Sequence, residues 1–266
     1  MPGHRAERFA KALASGADAV IIDLEDAVPL EAKPLARNVI RQAWEHFSDA
    51  EKSRLLVRIN PVDSAFHSDD TALLASLPGL GAAVLPKAES AASLQMLTRQ
   101  CPGLAILPLL ESAEGFSQLD GIAAAPYVLR LGFGHVDLQA DLGISCGPDE
   151  VELAVARWTL VVASRRARLP QPVDGITTAT TDGEVIVRDT QRSRRFGFGS
   201  KLCIHPAQVP FVHQGFAATD GELAWARRVL DASRQAGGGA INVDGKMVDA
   251  PVLALASQIL QRSVAA

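Results

Sequence analysis

Short apolar runs rich in valine, isoleucine and leucine recur along the chain and alternate with amphipathic stretches. The runs lack the period of two that a half-exposed strand shows, so they predict strands buried on both faces of a sheet. The alternation predicts a parallel sheet with crossover helices. The predicted strands are residues 19–24, 55–59, 82–85, 104–110, 127–131, 173–177 and 201–204. The predicted helices between them include residues 33–47, 90–99, 150–168 and 181–195.

Polar residues stand directly after almost every predicted strand. The 266 residues would suffice for two ordinary domains or for one large α/β barrel. A barrel carries catalytic residues at the carboxyl ends of many strands, whereas a doubly wound sheet gathers them at one switch point. The distribution therefore predicts a (β/α)₈ TIM barrel, of which seven strands are recognised. The polar residues include Asp23, Glu25, Asp26, Arg58, Asn60, Lys87, Glu111, Ser112, Asp137 and His205.

Composition excludes several classes of function. The net charge is −4, so the chain has no overall basic field that would attract nucleic acid. The apolar runs are far shorter than a membrane span, and the amino-terminal residues contain no apolar signal core. Three cysteines without close spacing indicate a reducing compartment and no zinc cluster. We expect a cytoplasmic protein that binds neither nucleic acid nor a membrane.

The carboxyl-terminal part of the chain has a pattern of its own. Two further helical stretches, 221–235 and 251–263, are separated by a glycine triplet at 237–239, which predicts a hinge. We predict a TIM-barrel catalytic domain at residues 1–220 and a C-terminal helical arm at residues 221–266. The apolar segment 251–256 needs a surface to cover it, so we expect the arm to pack on a neighbouring subunit of a homo-oligomer.

Two carboxylates, Glu111 and Asp137, follow adjacent predicted strands and would converge at the mouth of a barrel. Magnesium commonly takes one or two protein carboxylates and leaves its other positions to water and substrate. The alternative is that each carboxylate stabilises the amino terminus of a helix through the helix dipole. The position at the barrel mouth predicts a Mg²⁺ site, and the alternative stays open.

Arg58 is a charged residue in an otherwise apolar strand. A buried guanidinium is costly unless it meets an anion or a developing oxyanion. Two interpretations follow: Arg58 stabilises negative charge during a reaction, or it forms a structural ion pair with Asp23 or Glu25. Asp23, Glu25 and Asp26 could orient such an arginine or hold metal-bound water.

Several stretches together resemble the citrate lyase β-subunit-like CoA-ester lyases of the HpcH/HpaI aldolase group. No single stretch is decisive, but they follow the family order over essentially the whole chain. They are PGHRAERF at 2–9, IDLEDAV at 22–28, VRIN at 57–60, LPKAES at 85–90, LESAEG at 110–115, GHVDL at 134–138, CIHPAQ at 203–208 and GKMVDAP at 245–251.

The resemblance implies a Mg²⁺-dependent (β/α)₈ barrel that cleaves or forms a carbon–carbon bond beside a thioester. By motif, Glu111 and Asp137 would be the metal ligands, and Arg58 would bind the oxygen that gains negative charge. Asp249 matches the aspartate that the C-terminal segment of such enzymes delivers, often into a neighbouring subunit, for proton transfer.

The resemblance also implies a substrate and partners. Arg5 and Lys11 fall where the family contacts the phosphates of CoA. The substrate would be a 3-hydroxyacyl-CoA thioester of the citryl-CoA, malyl-CoA or citramalyl-CoA type, cleaved to a 2-oxo acid and acetyl-CoA by a homo-oligomer, a trimer or hexamer. Two alternatives remain: a CoA-independent class II 2-oxo acid aldolase, and a non-catalytic subunit of a larger lyase complex.

Two departures from the family pattern bear on these expectations. Family members open with an apolar strand directly before the Pro-Gly pair, whereas here Met1 stands immediately before Pro2. The first barrel strand is therefore expected to be missing from this chain, and a start site placed too far downstream is the simplest explanation. Val136 stands where many relatives carry an acidic residue beside the aspartate of the metal site.

Overall fold

The structure is a computed structural model, and it describes residues 1–236 and 240–264. The predicted hinge at 237–239 lies outside the described residues. The chain divides into two compact units, Met1–Val212 and His213–Ala266. No helix among the described residues is long and apolar enough to cross a membrane.

The first unit is built on one parallel sheet whose spatial strand order follows the sequence order from β1 to β7. Each strand pairs in parallel with the next one, with no reversal of order along the sheet. This order is that of a barrel and differs from a doubly wound sheet, so the predicted barrel class is confirmed. The strands are β1 (Val20–Asp23), β2 (Leu55–Arg58), β3 (Ala82–Leu85), β4 (Ile106–Leu110), β5 (Gly132–Phe133), β6 (Val173–Asp174) and β7 (Ser200–Lys201).

Helices follow the strands as the sequence predicts. Within this α/β arrangement the helices are α1 (Phe9–Leu13), α2 (Lys33–Trp44), α3 (Asp49–Arg54), α4 (His67–Ala75), α5 (Ala91–Gln100), α6 (Ala113–Ser117), α7 (Leu119–Ala123), α8 (His135–Leu142), α9 (Ala154–Arg166), α10 (Gly183–Phe196) and α11 (Val209–Phe216). Short 3₁₀ turns cover Ala6–Arg8, Leu30–Ala32, Val151–Leu153 and Pro206–Gln208.

The fifth strand differs from its predicted position at 127–131. Residues 127–129 touch β4 only through a bridge at Val128, where the Leu129 amide donates to the Ile106 carbonyl. The ladder resumes at Gly132, where a Cβ atom would lie only 2.6 Å from Cδ2 of Leu109. A larger residue here would have to push the Leu109 side chain aside, and the paired strand begins at Gly132 rather than in the apolar run.

Side chains from the strands alternate between two apolar cores. Leu55, Val57 and Leu85 belong to a large core that also contains helix residues such as Ile40 and Leu94. The smaller core lies on the opposite face and its buried members are all strand residues: Leu56, Ala82, Val84, Leu107, Leu109 and Val173. A sheet that is apolar on both faces explains why the strand sequences show no alternation.

The second unit contains two helices and a hairpin: α12 (Asp220–Ala236), β8 (Ile241–Val243), β9 (Lys246–Val248) and α13 (Ala250–Val264). β8 and β9 pair in antiparallel fashion around Asp244 and Gly245, both of which have positive φ. The Asp-Gly pair is a common two-residue hairpin turn. The core of this unit contains Ala226, Val229, Val248, Ala256 and Ile259.

Candidate active site

Arg58, the last residue of β2, pairs with Asp23, the last residue of β1. The two residues are register partners in the sheet, which brings their side chains together. Arg58 Nε donates to Asp23 Oδ1 over 2.7 Å, and Nη2 donates to Oδ2 over 2.6 Å. Burial opposes ionisation of Asp23, but the hydrogen bonds and charge of Arg58 outweigh it and hold the pKa below its usual value. The bidentate pair fixes the plane of the guanidinium at the sheet edge.

Two further carboxylates flank the same guanidinium. Arg58 Nη1 lies 2.7 Å from Oε2 of Glu25 and 3.4 Å from Oδ2 of Asp26. The contact with Glu25 is a charge contact without hydrogen-bond geometry. Burial raises the pKa of Glu25 to about 8; Arg58 opposes this rise, and the charges of Asp26, Glu111 and Asp23 add to it. Asp23, whose pKa is lowered and which makes two hydrogen bonds to Arg58, is therefore the main counter-charge of Arg58.

Glu111 directly follows β4 and is 5% exposed. Its Oε1 accepts a 2.6 Å hydrogen bond from the backbone amide of Lys87, which follows β3. Lys87 has a φ of 45°, a left-handed conformation that turns its amide toward the carboxylate. Burial raises the pKa of Glu111 to about 7, against the effect of the Lys87 hydrogen bond.

Asp137 lies in the first turn of α8, two residues beyond the start of the helix. Its negative charge further raises the pKa of Glu111, so the two carboxylates are electrostatic neighbours. Arg58 acts on Glu111 in the opposite direction. The structure therefore gathers Arg58, Glu111 and Asp137 at one edge of the sheet, as the strand-end pattern predicts. Val136, beside Asp137, is 45% exposed.

Gly134 precedes α8 and leaves room for Glu111. A Cβ atom at this position would lie 2.2 Å from Oε2 and 2.6 Å from Cβ of Glu111. No side chain fits at those distances, so the backbone of the β5–α8 connection itself forms one wall around the carboxylate.

Sequence reasoning missed a buried lysine beneath this edge. Lys33 at the start of α2 is 4% exposed. Its Nζ donates to the carbonyls of Leu24 and Glu25 and to Oδ1 of Asn60, over 2.6 to 2.9 Å. Asn60 in turn donates to Asp70. The lysine ties the loop after β1 to the loop after β2, and only its place in an amphipathic helix was visible in the sequence.

A second missed network lies under the β5 and β6 ends. Arg157 on α9 is 1% exposed and pairs with Glu150 and with Asp174, the last residue of β6. Its guanidinium stands 5.6 Å from the centroid of the Phe133 ring. Burial opposes ionisation of Asp174, but Lys201, Arg157 and Ser193 lower its pKa below the usual value. Phe133 immediately precedes the Gly134 connection, so this network supports the backbone that carries Asp137.

The remaining predicted residues lie elsewhere in the chain. Arg5 is exposed and pairs with Glu7 two residues away. Lys11 is exposed on α1, three residues after Arg8 on the same helical face. Asp249 belongs to the second unit, where its carbonyl accepts the amide of Leu253 at the start of α13.

The donor set at the sheet edge fits a small divalent cation with water-filled positions. Among the described residues no group of three or more His, Cys, Asp and Glu side chains is arranged to hold a metal ion, so a site here would have two protein carboxylates at most. Two carboxylates are the usual protein share of a magnesium site. Burial and the charge of Asp137 raise the pKa of Glu111, and a bound cation would oppose that rise.

A parallel barrel with two carboxylates and a fixed arginine at the carboxyl ends of its strands has the arrangement of a barrel enzyme, whose catalytic residues lie at that face. Residues 1–206 match the family described as HpcH/HpaI aldolase/citrate lyase, and the chain belongs to this family. The resemblance expected from the sequence is confirmed.

Individual relatives cover nearly the whole chain. A citrate lyase subunit beta-like protein of Deinococcus radiodurans is 38% identical, over 97% of this chain and 94% of that protein. A (3S)-malyl-CoA thioesterase of Cereibacter sphaeroides is 31% identical, over 100% of this chain and 93% of that protein. The crystal structure of CitE from Mycobacterium tuberculosis with magnesium, acetoacetate and coenzyme A has a TM-score of 0.89 at 36% identity, covering 99% and 96% of the two chains.

Proposed function

We propose that the protein is a Mg²⁺-dependent lyase that cleaves a carbon–carbon bond in a 3-hydroxyacyl-CoA thioester to give a 2-oxo acid and acetyl-CoA. The observation that carries this proposal is the placement of the Glu111 carboxylate, fixed by the Lys87 amide next to Asp137 and Arg58. The magnesium and coenzyme A in the related CitE structure support the cofactor and the substrate class.

Glu111 and Asp137 would hold the metal ion, with its other positions left to substrate and water. Bound there, Mg²⁺ would supply Lewis acidity to the hydroxyl and carboxylate oxygens of the substrate and favour transfer of the hydroxyl proton to solvent water. The Lys87 amide keeps Glu111 in place before the metal arrives. Gly134 excludes any side chain that would compete for that position.

Arg58 would stabilise the negative charge on the thioester oxygen. When the bond between the hydroxyl-bearing carbon and the acetyl carbon breaks, its electron pair passes to the thioester as an enolate. Asp23 accepts hydrogen bonds from two of the five N–H groups of Arg58, one on Nε and one on Nη2, and so fixes the orientation of the guanidinium. The remaining N–H groups, on Nη1 and Nη2, would be the donors for the substrate. Asp26 and Glu25 would assist that orientation from the other side.

Proton transfer to the enolate and binding of CoA are assigned to residues outside the sheet edge. Asp249, carried by the C-terminal arm of this or a neighbouring subunit of a homo-oligomer, would give its proton to the enolate carbon and form acetyl-CoA. Arg5 and Lys11 would bind the phosphates of CoA. Arg8 lies on the same exposed face as Lys11 and would add a third positive charge there.

The test is turnover of citryl-CoA, malyl-CoA and citramalyl-CoA with and without Mg²⁺, in which the 2-oxo acid and acetyl-CoA are measured separately. We expect one substrate to give both products in equal amounts, and Glu111→Gln and Arg58→Lys to lose most of this activity. The controls Glu114→Gln and Arg41→Lys change exposed residues of the same types. Equal turnover in the Glu111→Gln variant would refute the metal assignment.

Thioester hydrolysis is the second candidate function, and the malyl-CoA thioesterase relative favours it. Hydrolysis releases free CoA and leaves the hydroxy acid intact, whereas the lyase releases acetyl-CoA and a 2-oxo acid. Free thiol without 2-oxo acid in the same assay would therefore identify a thioesterase. Cleavage of the free hydroxy acids alone would identify the CoA-independent aldolase.

A further inference from the structure

Asp141 lies in the last turn of α8, four residues after Asp137. Residues four apart lie on the same face of a helix, one turn from each other. A carboxylate in the last turn of a helix is repelled by the negative end of the helix dipole. The helix by itself therefore does not favour an acid at this position, and a contact outside α8 accounts for it.

The Asp141 carboxylate contacts the segment that carries Glu111. Its Oδ2 accepts a hydrogen bond from the backbone amide of Ala113 over 2.7 Å. Ala113 lies two residues after Glu111 and is the first residue of α6, so its amide has no acceptor within that helix. A hydrogen bond from an amide to an ionised carboxylate is one of the stronger kinds. Within residues 1–236 and 240–264 it is the only hydrogen bond or ion pair that Asp141 forms.

The other end of α8 is attached to the same segment. The amide of Gly134, which directly precedes α8, donates to the Leu110 carbonyl over 3.0 Å. Leu110 is the residue before Glu111, so α8 is held at its start and at its end by residues on either side of Glu111. Asp137 lies between these two attachments. The two hydrogen bonds together therefore fix the position of Asp137 relative to Glu111.

The start of α6 is also fixed from the side of β3. Ser112 Oγ donates to Oε1 of Glu89 over 2.6 Å and accepts a hydrogen bond from the Gly115 amide. Gly115 packs closely against the loop after β3, since a Cβ atom there would lie 2.7 Å from the Ala88 carbonyl oxygen. The segment after β4 is thus held in place by other contacts, and α8 is the element that the hydrogen bond to Ala113 restrains.

We propose that Asp141 is a positioning residue of the metal site, which sets the separation of the Asp137 and Glu111 carboxylates through the Ala113 amide. The inference rests on the proposed function, in which those two carboxylates hold Mg²⁺. Mg²⁺ requires ligand distances of about 2.0–2.1 Å in nearly ideal octahedral geometry, whereas Ca²⁺ accepts about 2.3–2.6 Å and a more flexible arrangement. A loosened pair of carboxylates would therefore lose affinity for Mg²⁺ more than for Ca²⁺.

Three substitutions in the full chain test this role, with calorimetric titration of Mg²⁺ and, separately, of Ca²⁺. Asp141→Ala removes the acceptor and the charge, whereas Asp141→Asn removes the charge but retains an acceptor oxygen. Ala113→Pro removes the amide donor and leaves the carboxylate intact. Proline is favoured at the first position of a helix, and Ser112 before it already has the extended backbone, with a ψ of 158°, that a residue before proline adopts. Glu114→Gln, which removes an exposed charge from the same helix, is the control.

We expect Asp141→Ala and Ala113→Pro each to weaken Mg²⁺ binding roughly tenfold or more, as the loss of a group that orients a metal ligand does, and to weaken Ca²⁺ binding less. Asp141→Asn should retain most of the Mg²⁺ affinity, and Glu114→Gln should bind Mg²⁺ as the wild type does. The double variant Asp141→Ala/Ala113→Pro should bind as weakly as either single variant, because both substitutions remove the same hydrogen bond. The bond is exposed to water, so the thermal midpoints should change little.

Wild-type Mg²⁺ affinity in Asp141→Ala would overturn the inference and leave the proposed function standing. Equal losses in Asp141→Asn and Asp141→Ala would also overturn it, since the charge of Asp141 would then account for the effect. Additive losses in the double variant would show that the two residues act separately, which contradicts the proposed role.

If Asp141→Ala does not fold, Ala113→Pro decides the question, and wild-type Mg²⁺ affinity in that variant contradicts the role of Asp141. Absence of saturable Mg²⁺ binding in the wild type has a different meaning. It would overturn the proposed metal site itself, and the positioning role with it.

Discussion

The backbone amide of Lys87 lies 2.6 Å from Oε1 of Glu111, and it reaches this carboxylate through a left-handed turn with a φ of 45°. A non-glycine residue in that conformation costs on the order of 1 kcal/mol. The strained residue is thus the one whose amide binds the carboxylate that we propose as a metal ligand. Substitutions at Lys87 can separate the effect of its backbone conformation from the effect of its side-chain charge.

Lys87→Gly should relieve this strain while it retains the amide donor. We expect a free energy of unfolding equal to or up to about 1 kcal/mol above that of the wild type, with Mg²⁺ affinity unchanged. Lys87→Val is the matched variant, because a β-branched residue resists the left-handed region and would pull the amide away. Calorimetric titration with Mg²⁺ should show weakened binding for valine only; weakening by glycine would assign the effect to the lost ammonium group.

Gly134→Ala should displace the Glu111 side chain, because the new Cβ would stand 2.2 Å from Oε2. We expect at least a roughly tenfold loss of Mg²⁺ affinity, as for other changes that disturb the orientation of a metal ligand. Gly121→Ala is the control, since its Cβ would meet only Ala91 at 3.7 Å, an ordinary contact. Unchanged metal binding in Gly134→Ala would show that Glu111 is not a ligand.

Glu111→Gln should change how stability depends on pH in the metal-free protein. The folded pKa of about 7 lies above the ordinary value of 4.5, so the folded state retains a proton that the unfolded state has lost. Wild-type stability therefore falls as pH rises from about 4.5 to 7, by up to about 3 kcal/mol. Glutamine has no such proton, so the variant should become the more stable of the two above pH 7 in denaturant titrations.

Added Mg²⁺ should reverse that order by stabilising the wild type and not the variant. Glu114→Gln, at an exposed position in the same connection, should follow the wild type at every pH. If Glu111→Gln lost stability with rising pH in parallel with the wild type, the proton would be held by a group other than Glu111.

Asp23→Asn should leave Arg58 without its main counter-charge. The Asp23 side chain is 5% exposed and that of Arg58 is 21% exposed, so we expect a loss of about 3 kcal/mol in the free energy of unfolding. Asp120→Asn breaks the pair with Arg166, both of which are 66% exposed, and should cost less than about 1 kcal/mol. Urea denaturation of both variants measures the two losses in the free energy of unfolding. Similar losses would contradict the role of Asp23 as the buried partner that orients the Arg58 guanidinium.

The sequence predicts the elements of the first unit because its strands are apolar on both faces and its helices are amphipathic. It also predicts that Arg58, Glu111 and Asp137 converge, since parallel order places all strand ends on one side. The left-handed turn at Lys87 was not predictable, because a lysine gives no signal for positive φ.

Buried networks escape sequence reasoning for a related reason. The hydrogen-bond partners of Lys33 and Arg157 are far away in the sequence. A charged residue in an amphipathic helix is equally compatible with an exposed position, so the sequence does not show that these two are buried. The Asp244-Gly245 turn, by contrast, carries a local hairpin signal in the sequence itself. The roles of Asp249, Arg5 and Lys11 rest on the family resemblance and stay proposals.

The sequential strand order has a consequence for folding. Each strand from β2 to β7 contacts the strand that precedes it by a few dozen residues, so the sheet can grow one unit at a time as the chain leaves the ribosome. β1 and the end of β7 line one groove, and bringing them together requires closure of a loop of about 180 residues, the largest entropy cost in the sheet. The edge strands should therefore be the last part of the sheet to become protected and the first to open.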